Sequence, residues 1–502
     1  MTLSALYQPS LALLTDLYQL TMALGYWRAG RADDEAVFHL YFRRNPFQGG
    51  YALACGLARV AEFIEAFRFA PEDIEYLSSL SGHDGSPLFP GAFLTALAGL
   101  HLDCDVEAVP EGTVVFAHEP LLRVRGSLLQ CQLLETALLT FVNFETLIAT
   151  KAARICHAAR GEPVLEFGLR RAQGVDGALS ASRAAYVGGT NATSNVLAGR
   201  LYGIPVKGTH AHSWVMSFED ELTAFNAYAD AMPNNCVFLV DTYDTVEGVR
   251  NAIQVGERLR ARGQRLLGVR LDSGDLAYLS TVARRLLDAA GFADTFIVGS
   301  NDLDELTIQS LKLQDAKIAV WGVGTKLVTA FDQPALGGVY KLTALKRPGG
   351  AFEHKLKVSD HAAKTTTPGI LQIRRFINHG EYVGDMIFDQ LTGINLPAIV
   401  DPKDPTRQKR LPREAAYQDL LVPLIRQGRR VAQAESLAMV RSRAQAELAH
   451  LHGGIKRFEN PHEYPVGLEP ELHALKARMI FKTRGVDPQE MLSGAPNPPE
   501  AR

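Results

Sequence analysis

Val269-Arg270-Leu271-Asp272-Ser273-Gly274-Asp275 is the clearest of seven stretches within residues 163–325 that share one form. Each is a short apolar run closed by a glycine-rich or charged cluster, with a helix-like segment behind it. The other clusters are Glu166-Phe167-Gly168-Leu169-Arg170-Arg171, Gly188-Gly189-Thr190-Asn191, Gly208-Thr209-His210-Ala211-His212-Ser213, Asp241-Thr242-Tyr243-Asp244, Gly299-Ser300-Asn301-Asp302 and Gly322-Val323-Gly324-Thr325. A spacing of roughly 20 to 30 residues suits a strand plus a returning helix, which predicts an α/β fold with parallel strands. The polar clusters then gather at one end of the strands, where such folds place their chemistry. No stretch is a copy of another, so the rhythm is architectural rather than a solenoid of repeats.

Outside the centre the pattern changes. Residues 14–27 predict a helix capped by Thr15, with Leu17, Leu20, Leu24 and Trp27 on its apolar face and Tyr18 beside it as a core-edge aromatic. Val106 to Val124 alternates like short strands broken by Pro110, Gly112 and Pro120, and a long helix is expected from Ser127 to His157. After Lys341 the rhythm fails: Pro348-Gly349-Gly350 and Pro368-Gly369 mark loops, strands are expected near Ile370–Phe376 and helices over about 413–452. The two ends of the chain are therefore expected to share an α+β domain around the centre. The expected segments are 1–157, a central 158–345, 346–492 packing with the N-terminal part, and a frayed Gly/Pro tail over 493–502. The basic run Arg407 to Arg413 is read as a solvated loop, with an acidic partner as the alternative.

At 502 residues the chain exceeds one ordinary core, and its net charge of −3 argues against a general binder of nucleic acid. Its five cysteines, Cys55, Cys104, Cys131, Cys156 and Cys236, form no Cys-x-x-Cys pair and fit reduced thiols in a cytoplasmic protein. There is no basic, apolar leader and no apolar stretch of membrane-spanning length.

The strand-end residues define candidate chemistry. His210 and His212 have the spacing of a barrel metal site, but no further histidine occurs in the seven segments, which demotes metal-dependent hydrolysis. Gly299-Ser300 and Gly322-Val323-Gly324-Thr325 suit a phosphate cradle of bare backbone N–H groups. Arg170, Arg171 and Arg270 offer fixed cations for phosphate or carboxylate. Asp241, Asp244, Asp272 and Asp275 offer carboxylates for magnesium or for developing positive charge.

Five segments in order carry a resemblance: Leu14 to Trp27, Glu166 to Gly174, Gly208 to Ser213, Val269 to Asp275, and Gly337-Gly338-Val339-Tyr340-Lys341. Together they resemble the nicotinate phosphoribosyltransferases, across residues 14 to about 370. The resemblance implies an incomplete α/β barrel of parallel strands, joined to an α+β domain built from the N- and C-terminal parts, in a homodimer with shared active sites. It implies an enzyme of NAD biosynthesis that joins nicotinate to 5-phosphoribosyl 1-pyrophosphate, with magnesium as cofactor and ATP as co-substrate. ATP would act through a phosphohistidine at His212, with His210 in support only. The implied nicotinate site is Phe167, Thr209, Arg270 and the other subunit's Tyr18; the phosphoribosyl pyrophosphate site is Arg170, Gly299, Gly322, Gly324 and Thr325.

Asp241 is expected to hold the second nitrogen of His212, and Asp241 and Asp272 are the expected catalytic carboxylates and metal ligands. In related nicotinamide-using enzymes a carboxylate follows the Gly-Thr of the second strand end. Here Gly189-Thr190 is followed by neutral Asn191, which predicts nicotinate as substrate. The rivals are nicotinamide- or quinolinate-using relatives of the same fold and a non-catalytic nucleotide-binding protein.

Overall fold

Val237–Leu239 is buried at every position, and Gly268–Leu271 at all but Arg270. Strands so apolar on both faces need cover on both, which parallel strands joined by helices supply. The computed structural model describes residues 11–360, 364–412 and 414–486. The expected tail 493–502 and Arg413 of the basic run lie outside them.

The chain divides into two units: Phe144–Ala335 with Ser436–Gln445, and Met1–Asn143 with Leu336–Glu435 and Ala446–Arg502. The first is the α/β unit. Its six strands are β1 (Val164–Glu166), β2 (Ala192–Thr193), β3 (Val237–Leu239), β4 (Gly268–Leu271), β5 (Phe296–Gly299) and β6 (Val320–Val323). They lie in the order β2-β1-β6-β5-β4-β3, every neighbouring pair parallel. The sheet is open between β2 and β3, as an incomplete barrel requires.

Two of the seven expected runs differ. The run at Ile204–Lys207 forms only a bridge from Val206 to Thr193. The apolar residues before Gly188 are not a strand but the end of a helix, Gly174–Val187, and Gly188-Gly189 is its C-terminal turn. A Cβ on Gly188 would lie 2.3 Å from the Ala149 carbonyl oxygen, so close packing of two helices demands glycine there. Arg441 closes the turn, donating to the Thr190 and Gly189 carbonyls at 3.2 and 2.8 Å, a cation on a helix C-terminus. Within this unit Lys151 and Arg154, on the long helix Glu135–Ala159, pair with buried Glu305. Those contacts carry the unit's first residue back to Phe144.

The second unit is α+β and interleaves distant segments. Its seven-stranded sheet sets Glu35–Phe42 antiparallel between Gly338–Lys346 and Leu122–Ser127. A six-stranded sheet is built from residues 371–468. Strand Leu371–Asn378 falls where strands were expected, but helices over 413–452 do not form throughout. Ala416–Asp419, Val422–Arg426 and Arg429–Arg430 are strands, and the helix is confined to Leu437–Ala449. Cross-strand partners decide this stretch, Arg374 pairing with Asp419 at 2.7 Å.

The first helix runs Leu17–Arg28, preceded by Asp16 rather than Thr15. Its buried face is Gln19, Leu20, Ala23 and Leu24, while Leu17 and Trp27 are exposed. The amide of Gln19 draws the helix round by bonding Glu135 at 3.0 Å. Tyr18 is therefore not at the core edge but 47% exposed. Among the described residues no helix is long and apolar enough to cross a membrane, and all five cysteines are free.

Candidate active site

The carboxyl ends of β1 and β3–β6, with the loop after the Val206 bridge, bring side chains from six loops together. Arg270, in β4, is the hub: Nε donates to Ser300 Oγ (2.9 Å), Nη1 to Thr209 Oγ1 (3.0 Å) and Nη2 to Asp272 Oδ1 (2.7 Å). The single Ser300 hydroxyl proton goes to Asp272 Oδ1, with Leu271 O a more distant acceptor at 3.1 Å. Burial alone would raise the Asp272 carboxyl; the Arg270 charge and the Ser300 hydroxyl outweigh it and hold the acid below its ordinary range. A fork of three anchored N–H groups leaves two for a ligand.

His212 opens a short helix, His212–Met216, and its side chain is 40% exposed. Nε2 lies 3.8 Å from Asp272 Oδ2. The expected bond from Asp241 is absent: His212 Nδ1 meets Thr242 Oγ1 at 3.2 Å. Asp241 is turned instead to the β4 loop, its Oδ2 accepting from Asp272 N (2.9 Å) and Ser273 Oγ (2.6 Å). Its Oδ1 is buried without a partner, an orphaned carboxylate oxygen that fits a cation ligand. Asp244 and Asp275 do not share that position. Each caps a helix, Asp244 accepting from Glu247 N and Asp275 from Ala277 N and Tyr278 N.

His210 is structural. Its ring is flanked by Phe225, Tyr228 and Phe238, its Nε2 accepts from Leu239 N at 3.2 Å, and burial pushes it down to about 4.

Phe167 follows β1, its N–H bonded to Val323 O at 2.8 Å and its ring 5.7 Å from the Arg270 guanidinium carbon. A Cβ on Gly322 would sit 2.8 Å from that ring, so Gly322 makes room for it. The turn behind Phe167 is held by buried Glu166, which accepts from Gly168 N, Ser182 Oγ and Thr193 Oγ1. A Cβ on Gly168 would strike Val328, so the exposed turn bearing Arg170 and Arg171 abuts the Thr325–Val328 helix. Gly324 and Thr325 stand half-exposed beside it. Gly299 ends β5, where a Cβ would meet the Ile318 side chain at 2.7 Å. Tyr18 belongs to the other unit.

Asn191 is likewise removed from the site. Its N–H donates to Val164 O and its Oδ1 accepts from Val164 N, at the opposite end of β1 from Phe167. The residue after the second strand is Ser194, whose N–H bonds Glu166 O. Its side chain is likewise neutral.

Sequence reasoning gave Ser300 only a place in a phosphate cradle and Thr242 no role, although both stand inside clusters it had marked. The signal was their place close behind a strand, Ser300 next to β5 and Thr242 three residues beyond β3.

Family models agree along the chain. Residues 13–143 match the nicotinate phosphoribosyltransferase N-terminal domain, 163–385 the nicotinate phosphoribosyltransferase family, and 372–476 its C-terminal domain. A nicotinate phosphoribosyltransferase of Bacillus subtilis (strain 168) is 43% identical, covering 96% of this chain and 98% of that protein. The human nicotinate phosphoribosyltransferase is 39% identical, covering 92% and 95%. The crystal structure of human nicotinic acid phosphoribosyltransferase superposes with a TM-score of 0.80 at 35% identity, covering 93% of this chain and 99% of that one. A nicotinate-nucleotide pyrophosphorylase from Pyrococcus furiosus shares the fold at a TM-score of 0.67 and 20% identity, over 88% of this chain and 96% of that one. With these matches over nearly its whole length, the chain belongs to the nicotinate phosphoribosyltransferase family.

Proposed function

We propose that the chain transfers the phosphoribosyl group of 5-phosphoribosyl 1-pyrophosphate to nicotinate, coupled to ATP through His212. The observation that carries this is the Arg270 hub, which sets one cation, a depressed carboxylate and an exposed imidazole on one rim. The nicotinate carboxylate would take the two remaining Arg270 N–H groups, and its ring would lie on Phe167. The pyridine nitrogen would attack ribose C1 as the C1–oxygen bond breaks and pyrophosphate leaves with the bonding pair. The ribose then resembles an oxocarbenium ion, which the negative charge of Asp272 favours. Arg170 with the backbone at Gly324 and Thr325 would receive phosphate.

Donation from His212 Nδ1–H to Thr242 leaves the Nε2 lone pair on the Asp272 side, ready to take the γ-phosphoryl group of ATP. Asp241 Oδ1 and Asp272 are the groups that would hold magnesium, which would supply charge shielding for pyrophosphate. The exposed apolar residues Leu17, Tyr18 and Met22 of the first helix, with Leu14 just before it, support a homodimer in which Tyr18 completes the partner's nicotinate site. Free cysteines support a cytoplasmic location.

The test is pyrophosphate release with nicotinate, nicotinamide or quinolinate, each with and without ATP. Nicotinate should be used selectively and His212→Ala should abolish ATP stimulation. Stimulation that survives in the variant would reject the phosphohistidine, and equal use of nicotinamide would reject the substrate assignment.

A further inference from the structure

The unit built from both chain ends encloses a cavity of about 660 Å³ whose lining residues all belong to that unit. Its size falls in the range of roughly 300–1,000 Å³ typical of small-molecule sites. Four cations, Lys403, Arg407, Lys409 and Lys476, line it against two carboxylates, Asp401 and Glu463. Part of the basic run thus turns toward a cavity instead of only bathing in solvent.

Lys476 is the informative residue. Its Nζ donates to Thr367 Oγ1 at 3.2 Å, and among the described residues no carboxylate pairs with it. Burial pushes its ammonium down to about 8, so at neutral pH it still carries a charge that the protein has desolvated without neutralising. Such a group gains from an incoming anion. Lys403 pairs with Glu463 at 3.3 Å, both 62% exposed, and Arg407 stands 3.6 Å from Asp401. The Lys403–Glu463 pair is open enough to be worth little and to exchange readily for a ligand, and Arg407 is itself 64% exposed. Beneath the cations lie Ile387, Ile399 and Leu468, an apolar floor in the six-stranded sheet. A bare inorganic anion would leave most of that floor and volume unused.

We propose that this cavity binds a phosphate monoester of nucleotide size, its phosphate taken by Lys476, Lys403 and Arg407 and its organic part laid over Ile387, Ile399 and Leu468. The surplus of cations matches a dianion, and the hydroxyls of Thr365 and Thr367, also in the lining, add neutral donors.

The experiment is equilibrium dialysis of the full chain with AMP and, separately, with inorganic phosphate. Wild type is compared with Lys476→Met and with the double variant Lys403→Ser/Arg407→Ser, which alters only exposed side chains and keeps the test sound if Lys476→Met unfolds. A class of AMP sites, one per chain, should weaken at least tenfold in each folded variant, and phosphate should bind at least tenfold more weakly than AMP. AMP binding that is absent, or identical in wild type and both variants, overturns the site. Phosphate as tight as AMP overturns the assignment of an organic part. Because the readout is binding, a failed phosphoribosyl-transfer assay leaves this result unaffected.

Discussion

Ser300→Ala isolates how Arg270 is held. The Ser300 hydroxyl accepts from Arg270 Nε at 2.9 Å and donates to Asp272 Oδ1, and the residue is 3% exposed, so water does not replace it freely. Hydrogen bonds to charged groups contribute about 1.5–3 kcal/mol. The variant keeps the Thr209 and Asp272 bonds to Arg270, so the expected loss is that of about one such bond. At 1.36 kcal/mol per decade this is roughly a 10- to 150-fold fall in kcat/KM for nicotinate. Because Arg270 is assigned to the substrate carboxylate throughout the reaction, the fall should appear mainly in KM for nicotinate, with Ser300→Thr restoring much of it.

The same change removes one of the influences that depress the Asp272 acid. A depressed carboxylate stabilises the fold above its unfolded pKa and loses that contribution as pH falls through its folded value. The stability gap between wild type and variant should therefore be full at pH 7 and narrow as the pH drops into the carboxylate range. Steady-state kinetics and urea melts at several pH values are the assays. A kcat/KM within twofold of wild type, in a variant whose melt has shifted, would show that Ser300 does not position Arg270 for substrate.

Tyr18→Ala should fold normally yet lose turnover, and mixing it with His212→Ala subunits should restore activity through hybrid dimers; no recovery after demonstrated subunit exchange would refute a shared site. Asn191→Asp should leave the ratio of nicotinate to nicotinamide kcat/KM unchanged, since that residue faces Val164, and a shift toward nicotinamide would contradict the placement. His210→Phe should cost about 1–3 kcal/mol at pH 7 by orphaning Leu239 N–H. Since the folded pKa of His210 is about 4, below the roughly 6.5 of an unperturbed histidine, wild-type stability should fall as pH drops from about 6.5 to 4. The variant's denaturation midpoint should fall less over that window. Gly248→Ala sets a Cβ 2.0 Å from Val240 O, at the helix behind Asp241 and Thr242. It should destabilise by about 1–3 kcal/mol and weaken ATP stimulation, read by urea melts and by pyrophosphate release.

Local pattern was enough wherever one residue type has one physical use. Apolar runs closed by polar clusters announced most of the parallel strands and the rim on which Arg270, Asp272, Thr209 and His212 meet, because a strand buried on both faces leaves room for polar side chains mainly at and beyond its end. Other features were decided by contacts distant in sequence. Gly188-Gly189 looks like a strand end but is a helix terminus, since only the approach of Ala149 reveals why glycine is required. The strands at 416–430 follow from partners such as Arg374, and the rotation of the first helix from Gln19 meeting Glu135. Which carboxylate faces His212, and which merely caps a helix, depends on the path of each loop after its strand. Periodicity reports which residues avoid water, whereas the direction of a hydrogen bond is set by groups that only folding brings within about 3 Å.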